Sequence, residues 1–149
     1  MKQRKFAVPE FLNGHLEQVA CERWLHRRAQ AHVKRDRKRG MSGVTGAAYR
    51  QAIHHAVIQS QGRDAYTGEE LHWHLVSRYR NVDSQDGRHL YKAGFALLPT
   101  VDHIHASSLE ASFKICAWRT NDAKNDLSHE DFFALCMRVV THAGSKAIE

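Results

Sequence analysis

Apolar residues near the start of the chain recur every three or four positions: Leu12, Leu16, Val19, Ala20, Trp24, Ala31 and Val33. That spacing predicts a long helix from about Pro9 to Lys38, closed by the basic stretch KRDRKR and Gly40. GMSGVTG then reads as a loop. Thr45 is a candidate N-cap for a second helix, because Tyr49, Ile53, Ala56 and Val57 share one helical face. The pattern changes after Gly62. LHWHLV (71–76) alternates weakly and predicts a strand, and RYRNVDSQDGRH reads as a polar connection with a turn at Asp86-Gly87. FALLPTVDHI (95–104) and FKICAW (113–118) predict two further strands, the first short or at an edge because of Pro99. A last helix should begin after Ser128, present Phe132, Leu135, Cys136, Val139 and Val140 on one face, and end at Gly144. The expected fold class is α+β. A helical basic region (1–61) precedes a smaller strand-and-helix unit (62–149), the two forming one compact body.

Composition narrows the function classes. The 149 residues suit one domain that folds without disulfides or a structural metal. No apolar run reaches membrane-spanning length, and MKQRKFAVPEF lacks a signal-peptide core, so the expectation is a cytoplasmic protein with no membrane partner. Lys and Arg total 22 against 16 Asp and Glu, a net charge of +6 that favours a polyanionic partner, nucleic acid first. Cys21, Cys116 and Cys136 are widely spaced, form no CxxC pair and sit among apolar neighbours, so they read as buried free thiols.

The chemistry concentrates after the apolar run ALLPTV. Asp102-His103-Ile104 follows it directly, and the FKICAW strand then leads into Arg119-Thr120-Asn121-Asp122-Ala123-Lys124-Asn125-Asp126-Leu127. TVDHIHAS followed by FKICAWRTNDAKNDLS resembles the HNH endonucleases, whose core is the ββα-metal fold, and YTGEEL (66–71) is similar to the turn that often precedes that core. The resemblance covers roughly residues 62–140, and the first 60 residues carry none of it.

The resemblance implies an HNH-like ββα-metal core in the second half and a metal-dependent endonuclease that hydrolyses phosphodiester bonds. His103 stands where the family has its general base, Asp102 at a metal-binding carboxylate, and Asn121 at a second metal ligand. Ser112 stands where the family usually has an Asn that orients the catalytic His. Ala117 and Thr120 replace zinc-binding cysteines, so no structural zinc is expected. The implied cofactor is a divalent ion, Mg²⁺ first and Mn²⁺ or Ni²⁺ as alternatives. These residue types suit the reaction. A hard cation on a carboxylate and an amide oxygen keeps positions open for phosphate and water, and a neutral imidazole accepts the water proton. His105 and Asn125 are alternative ligands.

Lys34, Arg35, Arg37, Lys38 and Arg39, with Lys124, are candidate phosphate contacts, and Arg23, Arg27 and Arg28 extend the same patch. DNA is the expected partner and RNA stays open. A homodimer also stays open, with the N-terminal helix as one surface that could form it. Two alternatives remain: a catalytically inactive HNH-like nucleic-acid-binding module, and a basic helical protein that binds an acidic partner. An active site requires Asp102, His103 and Asn121 to converge on one cleft.

Overall fold

A computed structural model of the protein describes residues 4–104 and 112–146. After a 3-10 turn at Glu10–Leu12 come α1 (Gln18–Lys38), α2 (Gly46–Ser60), a 3-10 helix (Trp73–Ser77), α3 (Asn81–Gly94), β1 (Pro99–His103), β2 (Phe113–Ala117), α4 (Trp118–Lys124) and α5 (His129–Lys146). The fold is mixed α and β. Among the described residues no helix is long and apolar enough to cross a membrane.

The first predicted helix is interrupted: Gly14 has φ +82°, and α1 proper starts at Gln18. Cys21, Trp24, Leu25, Ala29, His32, Val33 and Asp36 form its buried face. On α2 the buried face is Tyr49, Ile53, Ala56 and Val57, and the Thr45 Oγ1 accepts from the Ala48 N–H at 3.2 Å. Beyond α2 the backbone turns left-handed at Gln61 (φ 51°) and Gly62 (φ 80°). There Trp73 Nε1 donates to the Gly62 carbonyl at 3.2 Å, tying the turn to the core.

The two strands pair antiparallel, with Asp102 opposite Lys114 and His103 opposite Phe113. Alternation gives the hairpin two faces. Val101, His103, Phe113 and Ile115 look toward α1 and α2, where the Tyr49 and Phe113 rings meet at 5.2 Å. Thr100, Asp102, Lys114 and Cys116 look toward α4 and the 64–68 turn, where Lys114 lies over the Tyr66 ring. One apolar core spans both halves of the chain, from Leu12, Trp24 and Ile53 through Trp73 to Val101 and Ile115.

Three expectations are corrected. The 71–76 segment is no strand. It turns into the 3-10 helix, whose bonds run from the Leu75 N–H to the His72 carbonyl and from the Arg78 N–H to the Leu75 carbonyl. Its alternating burial, with Leu71, Trp73 and Leu75 inside, mimics a strand. The polar 78–89 stretch is mostly helical, as α3. That helix buries no described side chain, so it leaves no apolar periodicity to read, and it is anchored through Tyr91, which stacks on Phe95 at 4.5 Å. The last helix, expected to end at Gly144, runs to Lys146 as α5, and before it Trp118–Lys124 form α4 directly after β2. The Ser128 cap is present, with its Oγ accepting from the Asp131 N–H at 3.0 Å.

Candidate functional site

Asp102 and His103 are adjacent on a regularly paired strand, so they point to opposite faces. The expected convergence on one cleft does not occur.

On the α4 face, the Tyr66 hydroxyl donates to Asp102 Oδ2, and Lys124 Nζ lies 3.5 Å from Oδ1 and 3.4 Å from Oδ2. The Lys124 and Asp102 side chains are only 7% and 8% exposed, so the ion pair is shielded from solvent. Burial first, then the hydrogen bond to Asp102, pushes the Tyr66 phenol well above its ordinary range, so it stays a donor. Burial and the neighbouring Asp102 likewise raise the Cys116 thiol. Lys124, expected to touch nucleic acid, is instead the counter-charge of Asp102. The Asp102 carboxylate therefore does not fit a divalent ion as it stands, because an ammonium group already balances it. Among the described residues no group of three or more His, Cys, Asp or Glu is arranged to hold a metal ion.

On the other face, the His103 side chain is 3% exposed and stacks on Phe113 at 4.9 Å. Its Nδ1 lies 3.4 Å from Oδ2 of Asp36, a fully buried carboxylate from α1. Tyr49 donates to the same oxygen at 2.6 Å. Neither His103 ring nitrogen, nor Asp36 Oδ1, has a hydrogen-bond partner among the described residues. Burial lowers the His103 pKa while Asp36 opposes the shift, leaving a neutral ring. Such an imidazole can accept a proton, and Asp36 would stabilise the cation formed. Ser112 is not placed as its orienting group: its carbonyl accepts from the Ile104 N–H at 2.9 Å, closing the hairpin end. The group beside Nδ1 is Asp36, which sequence reasoning missed. Its only signal was one acid inside KRDRKR. Next to it His32 is also neutral, its pKa lowered to about 3 by burial and then by Arg35, which donates to Nδ1 at 2.7 Å. His105, an alternative ligand, lies outside the described residues.

Asn121 sits mid-way along α4, three residues before Lys124, and opens into a cleft of about 740 Å³ between α1, the segment after the 3-10 helix, β1 and α4. Arg23, Arg27, Arg28 and Arg80 line it together with Thr100, Tyr79 and Trp118, and no carboxylate does. Arg28 stacks over Trp24 at 6.0 Å. Trp24 is itself core, 3% exposed. Arg23, Arg27, Lys34 and Lys38 follow one another on one side of α1, so the cleft continues as a cationic stripe some 22 Å long, at about 1.5 Å per residue. Lys34, Arg35, Arg37, Lys38 and Arg39 are all exposed at the end of that helix, where its dipole favours cations.

Comparison with protein-family models, curated proteins and solved structures returned no match.

Proposed function

We propose that this protein binds DNA along the arginine-lined cleft and the cationic stripe of α1, as an endonuclease of the HNH type. The observation that carries the reading is a single cleft that joins four arginines and no carboxylate to Asn121, the amide that the resemblance implies as a metal ligand. Guanidinium groups on a rigid helix suit phosphate oxygens, and the half-buried Tyr79 and Trp118 rings in the cleft wall offer apolar surface to sugar and base. Such contacts position a duplex without reading its sequence.

Cleavage is supported by the DHI and N-x-x-K segments and by the antiparallel hairpin leading into α4, with Asp102 on the α4 side. In the arrangement described, Lys124 holds Asp102 and His103 faces α1, so a cutting state requires both side chains to change partners. A binding module without catalysis is the second reading, and those same two placements favour it.

Two assays test these readings. Fluorescence anisotropy with duplex DNA and with RNA, across a salt series, should show a steep fall of affinity with salt. Arg23→Ala with Arg27→Ala should reduce the logarithmic salt slope by about 2, one for each phosphate contact removed. Binding indifferent to these arginines would overturn the cleft assignment. Plasmid cleavage in EDTA, Mg²⁺, Mn²⁺ and Ni²⁺ beside His103→Ala decides the rest. Metal-dependent nicking lost in the variant establishes the nuclease. Salt-sensitive binding without nicking establishes the module.

A further inference from the structure

The cleft between α1 and α4 has two unlike walls. On the α1 side stand Arg23, Arg27 and Arg28. Ala20 and Ala31 lie between Arg23 and Arg28 around the helix axis, so small side chains keep the floor low. Arg23 and Arg27 are one turn apart, about 6 Å along the axis, close to the spacing of neighbouring phosphates on one strand. The other wall is aromatic, formed by Trp118 and Tyr79 with the exposed Arg80 beside them. Trp118 is held in place. Its backbone N–H donates to the Leu98 carbonyl at 2.8 Å, and its ring meets that of Tyr79 edge-to-face at 5.2 Å. Phe95 braces Tyr79 in turn at 5.6 Å. Lys92 reaches over the Trp118 ring at 5.6 Å, but its side chain is 55% exposed and free to swing aside.

This pair of walls separates unpaired from paired nucleic acid. In a duplex the base faces are stacked on one another, and only base edges show in the grooves. Aromatic rings set into a concave wall then have no base face to meet. An unpaired strand offers bases on one side and phosphates on the other, and stacking on aromatic rings holds such strands without regard to sequence. The cleft volume of about 740 Å³ is that of a small-ligand site, with room for about two nucleotides of one strand rather than the cross-section of a duplex.

We propose that the cleft binds unpaired, single-stranded DNA, with phosphates on Arg23, Arg27 and Arg28 and a base against Trp118. Lys34 and Lys38, farther along α1 and outside the cleft, are left to an adjoining duplex. The protein therefore prefers a duplex with a single-stranded tail to a blunt one. The proposal rests on the cleft being a nucleic-acid site and is independent of cleavage.

The tryptophans supply the readout. Trp24 and Trp73 are each 3% exposed, whereas Trp118 is half-buried at the cleft. The full chain is titrated, at one salt concentration and in EDTA, with an oligothymidylate, a blunt duplex and the same duplex carrying a thymidylate tail. The oligothymidylate and the tailed duplex should quench the intrinsic fluorescence, and the tailed duplex should bind at least about 5-fold tighter than the blunt one, the gain from one stacked base. Trp118→Ala should weaken binding of the oligothymidylate about 5- to 150-fold. Trp118→Phe keeps a ring, so it should lose the quenching while losing far less affinity, which keeps the test decisive even where Trp118→Ala unfolds. A blunt duplex bound as tightly as the tailed one, with no quenching, would overturn the proposal and leave the DNA reading standing. Quenching that survives in Trp118→Phe would overturn the placement of the strand. Binding of none of the three probes would overturn the proposal and the DNA reading together.

Discussion

His32 and His103 are neutral rings packed against each other and against Phe113, and neither is solvated. This makes stability depend on pH in a definite direction. The His32 pKa falls from 6.5 to about 3 on folding, so between those values the unfolded chain binds a proton that the folded chain refuses. Stability is therefore full above pH 6.5 and declines as pH falls through that window, by up to about 1.4 kcal/mol per unit for this group. His103 shifts the same way and adds to the slope. Urea unfolding at several pH values should show the decline, and His32→Gln should flatten it. At this scale the sequence was only partly legible. Asp102, His103 and Asn121 stood out through their spacing. Their partners Lys124, Tyr66 and Asp36 did not, because contacts 22 to 67 positions apart are set by the packing of whole elements.

Elements are tied together by a few buried groups, and Asp64 holds the most. One oxygen accepts from the Tyr66 N–H at 2.7 Å and the Thr67 N–H at 3.0 Å. The other accepts from the Ala117 N–H and the Thr120 Oγ1, both at 2.7 Å. One carboxylate thus shapes the 64–68 turn, meets the end of β2 and satisfies the start of α4. Asp64→Asn sets an amide donor against other donors and removes the charge, at an expected cost of about 3 kcal/mol in denaturant unfolding. A change below about 1 kcal/mol would show that water replaces these bonds. The signals that worked at this scale were local. Thr45 and Ser128 cap the helices they were expected to cap, and the two apolar runs pair as a hairpin. The failures were α3, whose exposed surface carries no apolar rhythm, and the 3-10 helix, whose rhythm resembles that of a strand.

Across the whole molecule, the helical and hairpin halves share one core. Tyr49 on α2 packs on Phe113 of β2, and Trp24 on α1 meets Trp73 edge-on at 5.7 Å. Residues 62–149 alone would expose Val101, Phe113 and Ile115 to water. That fragment should lack the sharp thermal transition of the full chain, which scanning calorimetry reads directly. Charge is also arranged globally: the basic side of α1 and the cleft lie together, whereas α5 carries opposite charges at its two ends. The cysteines follow from the same architecture. Burial seals Cys21, its pKa raised to about 11, and raises Cys116 as well, while Cys136, expected to be buried like them, stands exposed because α5 buries none of its residues. Thiol reagents attack the thiolate, so the native protein offers them one address without any cysteine being removed. A fluorophore or spin label added to the wild-type chain will report from α5 alone, and its signal is a direct reading of whatever that helix meets.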